Sequence, residues 1–519
     1  MNVKLEKKII QVLNNVKAIG ATTRQIASIL DIDHRNVERI VKELNKKGKV
    51  IKVGRNLWIL AKYKDFSKIP NFITPEYYRH EFEKITGLSF SAYPHGREIM
   101  ASENYNERIH RWFFCVQGFS ATFVNDILNR FNISEGDTIL DPFAGSGTVL
   151  VCAKLKNINS IGVELLPIFS FACKVKTSWD VNVKAFIRAA EQLKKKVITG
   201  NVKQAKIPFL KETRRHFSEP VLRALLSIKG GISEISDERV RELLQLALAS
   251  ILVPCSNLKR SPCLGYTKKP NNLNERDVIN RFMEKVYQIV DDLNFVKQYG
   301  YGNNAFAKVI PKDSRTVRYE EDSIKLAITS PPYINGLDYV INYKIEMAWL
   351  DLVHSYKELS EIKAKMVACD NIPRRVIAKF KTKEHKYYDE WLERIIGQVE
   401  NSIKQKVNYR RDDMHLIVRK YFEDLYPVFI NIYDGLVKDG RFVIVIGDSL
   451  IAGVYIPTDL ILARMGQRVG FSIESIEIAR ERRSGQRHDF KLRESIITLK
   501  KGKVRTPRGI SLLHYLEKS

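Results

Sequence analysis

Residues 138–156, TILDPFAGSGTVLVCAKLK, constrain the fold more than any other stretch of this chain. A short apolar run ends in Asp141. A Gly-rich turn follows, and an apolar helical pattern begins directly after it. A second apolar run, NSIGVEL, comes within a few residues. Strand, turn, helix, strand is the opening of a doubly wound α/β sheet, and ligands bind such sheets at the carboxyl ends of the strands. Gly145 and Gly147 let the backbone pass close to a ligand without a Cβ clash. A dinucleotide fingerprint would want a small residue where Leu150 stands. A phosphate loop would want Gly-Lys-Ser/Thr, which is not there. Asp141, at the start of the turn, suits an amino-acid ammonium better than a phosphate. Glu164 ends the next strand, where an acid can accept hydrogen bonds from ribose hydroxyls.

A second strand end carries a different chemistry. The run IKLAIT leads into Thr329-Ser330-Pro331-Pro332-Tyr333. Two consecutive prolines stiffen the chain and remove two backbone donors. The loop is left with carbonyl oxygens, a hydroxyl and an aromatic face. That set suits an aminopyrimidine, with the ring on Tyr333 and the exocyclic amine on Ser330 and the Pro331 carbonyl. Acceptors that hold both N–H bonds restore lone-pair character to a conjugated amine, so a methyl group placed in line can be attacked directly.

The bulk numbers agree with a polyanionic partner. The chain has 519 residues with 86 Lys+Arg against 59 Asp+Glu, a net charge of +27. Solubility alone does not need that excess, and nucleic acid is the expected partner. The length implies two to four domains as a soft prior. Six cysteines without a CxxC pair point away from a zinc site, so no metal is expected, and towards a reducing compartment. There is neither a signal-peptide pattern nor a run of membrane-span length, so a cytoplasmic protein without a membrane partner is expected.

Six segments are expected. Residues 1–62 read helix, helix, helix, hairpin, the order of a winged-helix domain. Asp33 caps the third helix, which presents Arg35, Asn36 and Arg39 as a groove-reading helix would. A docking or dimerisation module of the same shape is the competing reading. Residues 63–106 read as a linker or irregular arm. Residues 107–183 are the cofactor-binding part of the α/β domain. Residues 184–300 form a mainly helical insertion, a possible target-recognition region. Residues 301–500 are the catalytic part, and 501–519 a basic tail. Arg214, Arg215, Lys259, Arg260, Lys268 and Lys269 in the insertion, and Arg480, Arg482, Arg483 and Arg487 in RERRSGQR, are candidate phosphate contacts. A solvated charged face is the alternative.

DPFAGSGT together with TSPPY resembles the amino-methyltransferases of nucleic acids, and SPPY resembles their cytosine-N4 branch. The resemblance runs across roughly 107–183 and 300–500. It implies a Rossmann-like class I methyltransferase domain using S-adenosylmethionine, with Asp141, Phe143, Ala144, Gly145, Ser146 and Gly147 on the methionine part and Glu164 on the ribose. It implies Asp313, in KDSR, on the adenine, although Lys312 replaces the family's usual Gly. The segment HRWFFCVQGFSATFV would close the cofactor pocket. Asp338, Tyr339 and Tyr343 either line the base pocket or pack, and Asp448 is placed to face the site. Ser330, Pro331, Pro332 and Tyr333 carry the chemistry. The expected reaction is direct methylation of cytosine N4, with DNA favoured over RNA. An RNA cytidine, adenine N6 and an inactive regulator remain alternatives, and mono- versus dimethylation is open. Cys255 and Cys263 each follow a proline, as in cytosine-C5 enzymes, but lie in the helical insertion and read as structural.

Overall fold

The computed structural model describes residues 2–502 apart from 18–19, 55, 66–71, 97, 262, 303, 406–410 and 486. At the amino end the order is α1 (Asn2–Val16), β1 (Ala21–Thr22), α2 (Thr23–Leu30), α3 (His34–Lys46), β2 (Val50–Gly54) and β3 (Leu57–Leu60). The strands pair antiparallel in the order β1-β3-β2. Local chemistry sets the boundaries. Thr22 and Gln25 form a capping box on α2, and the Asp33 side chain accepts from Arg35 N at the start of α3. Ile9, Leu13, Ile26, Val37, Ile40, Val41 and Leu44 are fully buried between the three helices and the sheet. The opposite face of α3 leaves Arg35, Asn36 and Arg39 exposed.

The segment expected as an irregular arm is more ordered than its prolines suggested. Thr74 caps a helix at Pro75–Thr86, and Tyr78 and Phe82 on it are buried. Its next strand, β4 (Ser91–Ala92), joins the edge of the main sheet. Pro75 sits at the first turn of the helix, where its missing N–H costs nothing.

The main sheet adds β5 (Thr138–Asp141), β6 (Asn159–Val163), β9 (Ala307–Ile310), β10 (Ile324–Thr329), β11 (Leu436–Gly447), β14 (Phe471–Arg483) and β15 (Lys491–Lys501). Between these lie two small hairpins, β7 (Leu258–Arg260) with β8 (Leu264–Tyr266), and β12 (Ser449–Ile451) with β13 (Val454–Ile456). The sheet order is β4-β14-β15-β11-β10-β5-β6-β9. Strands β9, β6, β5, β10 and β11 run parallel, and β15 is antiparallel to both β11 and β14. From β5 the chain builds outward through β6 to β9, then returns to β10 on the other side of β5. The β5/β10 boundary is therefore the topological switch point, where open α/β sheets form their crevice. It brings Asp141 and Thr329, the last residues of these two strands, side by side.

Two helical regions interrupt the sheet. The first has long helices at Val183–Ile198, Glu219–Ser233, Glu238–Cys255 and Glu275–Gln298, ahead of β9. The second lies between β10 and β11 and includes Glu390–Lys404 and Met414–Gly435. It falls inside residues expected only to continue the catalytic part. The basic tail beyond 502 lies outside the described residues. No described helix is long and apolar enough to cross a membrane.

Candidate active site

A cavity of about 650 Å³ opens at the switch point. That volume is in the range of small-molecule and cofactor sites. Asp141, Phe143, Ala144, Gly145, Ser146 and Glu164 line one part of it, together with Asp313. Ser330, Pro331, Pro332 and Tyr333 line another. Thus the two strand-end motifs, almost 190 residues apart, share one space.

A single buried contact holds them together. Thr329 Oγ1 donates to Asp141 Oδ1 at 2.8 Å, and Phe143 N donates to the same oxygen at 3.0 Å. Glu164 Oε2 accepts from Gly145 N at 2.8 Å, and its Oε1 accepts from Leu166 N at 2.7 Å. The carboxylate therefore fixes the Gly-rich turn as well as lining the cavity. Burial pushes Asp141 up to about 7 and Glu164 up to about 7. The two glycines serve different ends. Gly145 has φ +51 and open space where a Cβ would stand. Gly147 does not line the cavity. It has φ +88, and a Cβ there would come 2.7 Å from Cys173 Sγ. One glycine leaves room for a ligand and the other allows the turn to sit on its neighbour helix.

Asp313 stands at the cavity wall, but its carboxylate is gripped by Arg315, with Oδ2 2.6 Å from Nη2 and Oδ1 2.9 Å from Nε. Arg315 also reaches Asp424. The segment HRWFFCVQGFSATFV closes another side, with His110, Phe113, Phe114, Cys115, Val116, Gln117 and Phe119 on the wall. Tyr339 lines the cavity and donates to Gln117 Oε1 at 2.7 Å. Tyr343 packs behind it and accepts from Val116 N at 3.0 Å. Asp338 caps the helix Tyr339–Asn342 and pairs with Lys363.

On the proline side, Tyr333 donates to Glu494 Oε1 at 2.8 Å. Burial, together with Glu494, pushes this phenol well above its ordinary range, so it stays protonated. The other oxygen of Glu494 pairs with Arg480. Arg482 lies over the Tyr333 ring and donates to the Asp448 carbonyl at 2.6 Å. A Cβ on Gly447 would meet both Arg482 and Tyr333 at about 3 Å, so only a glycine at the end of β11 lets these two side chains approach. This wall comes from β14 and β15, strands late in the chain, and neither Glu494 nor Lys176 was singled out from the sequence. Lys176 had a readable signal, a charge on the apolar face of PIFSFACKVK, four residues after Ala172.

Several expected contacts are placed elsewhere. Arg260 is not a surface cation. Its Nε and Nη2 donate to the Asn342 carbonyl at 3.0 and 2.8 Å, and Nη2 pairs with Glu346. The guanidinium is consumed by the fold, since Glu346 is buried and needs a counter-charge. Arg487 is 1% exposed and binds Asp489. Asp448 is turned away from the cavity into a buried network with Arg493 and Tyr455. Arg483 stays exposed, as do Arg214 and Arg215, which pair with Glu219 and Glu212. Cys255 is buried in a core and Cys263 is exposed, and neither lines the cavity.

Comparison with known proteins finds similarity to DNA methyltransferases. The DNA methylase family that includes N6 and N4 enzymes matches residues 35–169, from α3 through the Gly-rich turn. The type II methyltransferase M.BsoBI of Geobacillus stearothermophilus is 27% identical over 73% of this chain and 82% of its own length. M.AvaI of a Nostoc species is 26% identical over 73% of this chain and 83% of its own. M.MvaI of Kocuria varians is 22% identical over 63% and 73%. Among solved structures, a TehB-like SAM-dependent methyltransferase from Corynebacterium glutamicum overlaps only loosely, with a TM-score of 0.24 at 9% identity over 74% of this chain and 87% of that one. The cavity fits the family's cofactor on its own terms, because Gly145 leaves a cradle that a Cβ would fill and buried groups of both signs, Asp141 and Lys176, stand in one wall. The chain is thus similar to DNA methylases of the N6 and N4 kind over the segment that carries the Gly-rich turn and to type II methyltransferases over most of its length, and S-adenosylmethionine is the methyl donor that goes with this likeness.

Proposed function

We propose that this protein methylates the exocyclic N4 amine of cytosine in DNA. The observation that carries the reading is the Thr329–Asp141 contact, which holds the Ser-Pro-Pro-Tyr loop against the Gly-rich turn across the switch point. S-adenosylmethionine supplies an electrophilic methyl group when bound. Asp141, Phe143–Ser146 and Glu164 would hold the donor, and Asp313, steadied by Arg315, would border its adenine. Ser330 and the Pro331 carbonyl accept the amine N–H bonds and draw its lone pair out of conjugation. Tyr333 stacks on the base, its ring steadied through Glu494. Because Tyr333 stays protonated, it positions the base and does not abstract a proton. A duplex target must be flipped out to reach this recessed loop.

DNA is favoured because the relatives are type II methyltransferases and because of the N-terminal unit. We read residues 1–62 as a winged helix whose α3 offers Arg35, Asn36 and Arg39 to a groove. Its position supports the reading. His488 N, in the β14–β15 turn, donates to Val53 O at 2.8 Å, so the unit is seated on the same hairpin that walls the active site. Arg482 and Arg483 on that hairpin remain candidate nucleic-acid contacts.

Incubation with labelled cofactor, duplex DNA and RNA, followed by digestion to nucleosides and mass spectrometry, tests this. N4-methylcytosine in DNA is expected. N6-methyladenine overturns the base assignment, label confined to RNA overturns the polymer, and 5-methylcytosine overturns direct transfer.

A further inference from the structure

Lys176 ends the helix Pro167–Lys176 and is 1% exposed. Its ammonium stands in the wall of the cofactor cavity. Nζ donates to the Ser146 carbonyl, in the Gly-rich turn, at 3.1 Å. Among the described residues no carboxylate forms an ion pair with it. Its surroundings make the deficit worse. Burial holds the Cys115 thiol up at about 11, so it is neutral, and Lys285 adds a second cation nearby. His110, 3% exposed on the same wall, has an Nδ1 without a hydrogen-bond partner among the described residues. Burial pushes Lys176 down to about 7.

A buried cation without a counter-ion is costly and is kept where something supplies the missing charge. The donor has one anionic group, its methionyl carboxylate. Its ammonium and sulfonium are cations, which suit Asp141 on the same turn. We propose that Lys176 binds the methionyl carboxylate of S-adenosylmethionine, so that Asp141 and Lys176 grip the two ends of the amino-acid zwitterion from opposite flanks of the Gly-rich turn. The same charge selects S-adenosylmethionine over nucleosides that lack the carboxylate. The proposal rests on this cavity being the cofactor site.

Isothermal titration with two probes tests it, S-adenosylmethionine and its decarboxylated analogue, which lacks only the carboxylate. The wild-type protein should prefer S-adenosylmethionine by about 10- to 100-fold. Lys176→Met should lose that preference while binding the decarboxylated analogue as the wild type does. In a thermal melt without ligand, Lys176→Met should be no less stable than wild type, because it removes an uncompensated buried charge. Equal affinity of the wild type for both probes overturns the proposal without any variant. An equal loss for both probes in Lys176→Met also overturns it, since that is a structural effect. Failure of the wild type to bind either probe would instead sink the placement of the cofactor.

Discussion

The two halves of the cavity treat charge in opposite ways. Around the Gly-rich turn, Asp141 and Lys176 are buried and Glu164 half-buried, with hydroxyl or backbone partners and, among the described residues, without ion pairs. Their ionisation is pushed towards neutrality, up for the acids and down for the lysine. Around the proline loop the charges are matched. Glu494 is shared by Tyr333 and Arg480, and Arg482 is held on the Asp448 carbonyl. An unmatched wall is one a ligand completes, and a matched wall is a rigid frame. On the proposed function, the first wall would recognise the charged donor, while the second holds one aromatic ring and one rigid loop in position for the base.

The largest way to break this contrast is Asp141→Ala. It removes a charged contact to the donor and the acceptor for Thr329, so it should weaken S-adenosylmethionine binding by about 1.5–3 kcal/mol and impair methylation as well. Calorimetry with intact affinity would show that the unmatched wall does not read the cofactor. On the matched side, Tyr333→Ala should cost roughly 1–3 kcal/mol of base binding through lost stacking while leaving cofactor affinity unchanged. Tyr333→Phe keeps the ring and loses only the bond to Glu494, about 1 kcal/mol. A fall in cofactor affinity for either variant would mean that the two walls are not separable.

A smaller effect is expected in the pH dependence of the ligand-free protein. Asp141 and Glu164 are raised to about 7, above their unfolded values near 4. Between those limits the folded protein holds more protons than the unfolded chain. Their contribution to stability is therefore full at low pH and lost as pH rises through about 7. Denaturant titrations of the double variant Asp141→Asn, Glu164→Gln should show a flatter profile than wild type. A parallel profile would show that these acids are ionised in the folded state. The smallest effect concerns the distant exposed cations. Arg35→Ala and Arg39→Ala should each lower the salt dependence of DNA binding by about one phosphate contact, with cofactor affinity unaltered. No change in slope would assign α3 to a protein or to a second copy of the chain.

Much of the site was readable because it is local. DPFAGSGT and TSPPY are strand-end turns whose shape follows from glycine and proline backbone preferences within a few residues. The caps Thr22 and Asp33 are of the same kind. What misled or stayed silent was non-local. Arg260 looked like a phosphate contact, but its partners Asn342 and Glu346 lie more than 80 residues away. Arg487 and Asp448 were likewise absorbed by buried pairings. Residues 91–92 read as part of a linker because two residues cannot show a strand period, and only β14 gives them a partner.

The sequence by itself determined the α/β opening, the turns at the two strand ends and the helical interruption after Glu164, since each follows from residue types at short spacing, and the two turns together carried the resemblance to the nucleic-acid amino-methyltransferases. Only the tertiary structure decided which charges remain for ligands. Whether an arginine or a lysine is spent on the fold depends on which carboxylate the packing brings to it, and burial multiplies the cost of leaving it alone. That is why Arg260, paired with Glu346, is part of the frame, while Lys176, buried without an ion pair among the described residues, is the charge left in the cavity wall for the proposed ligand.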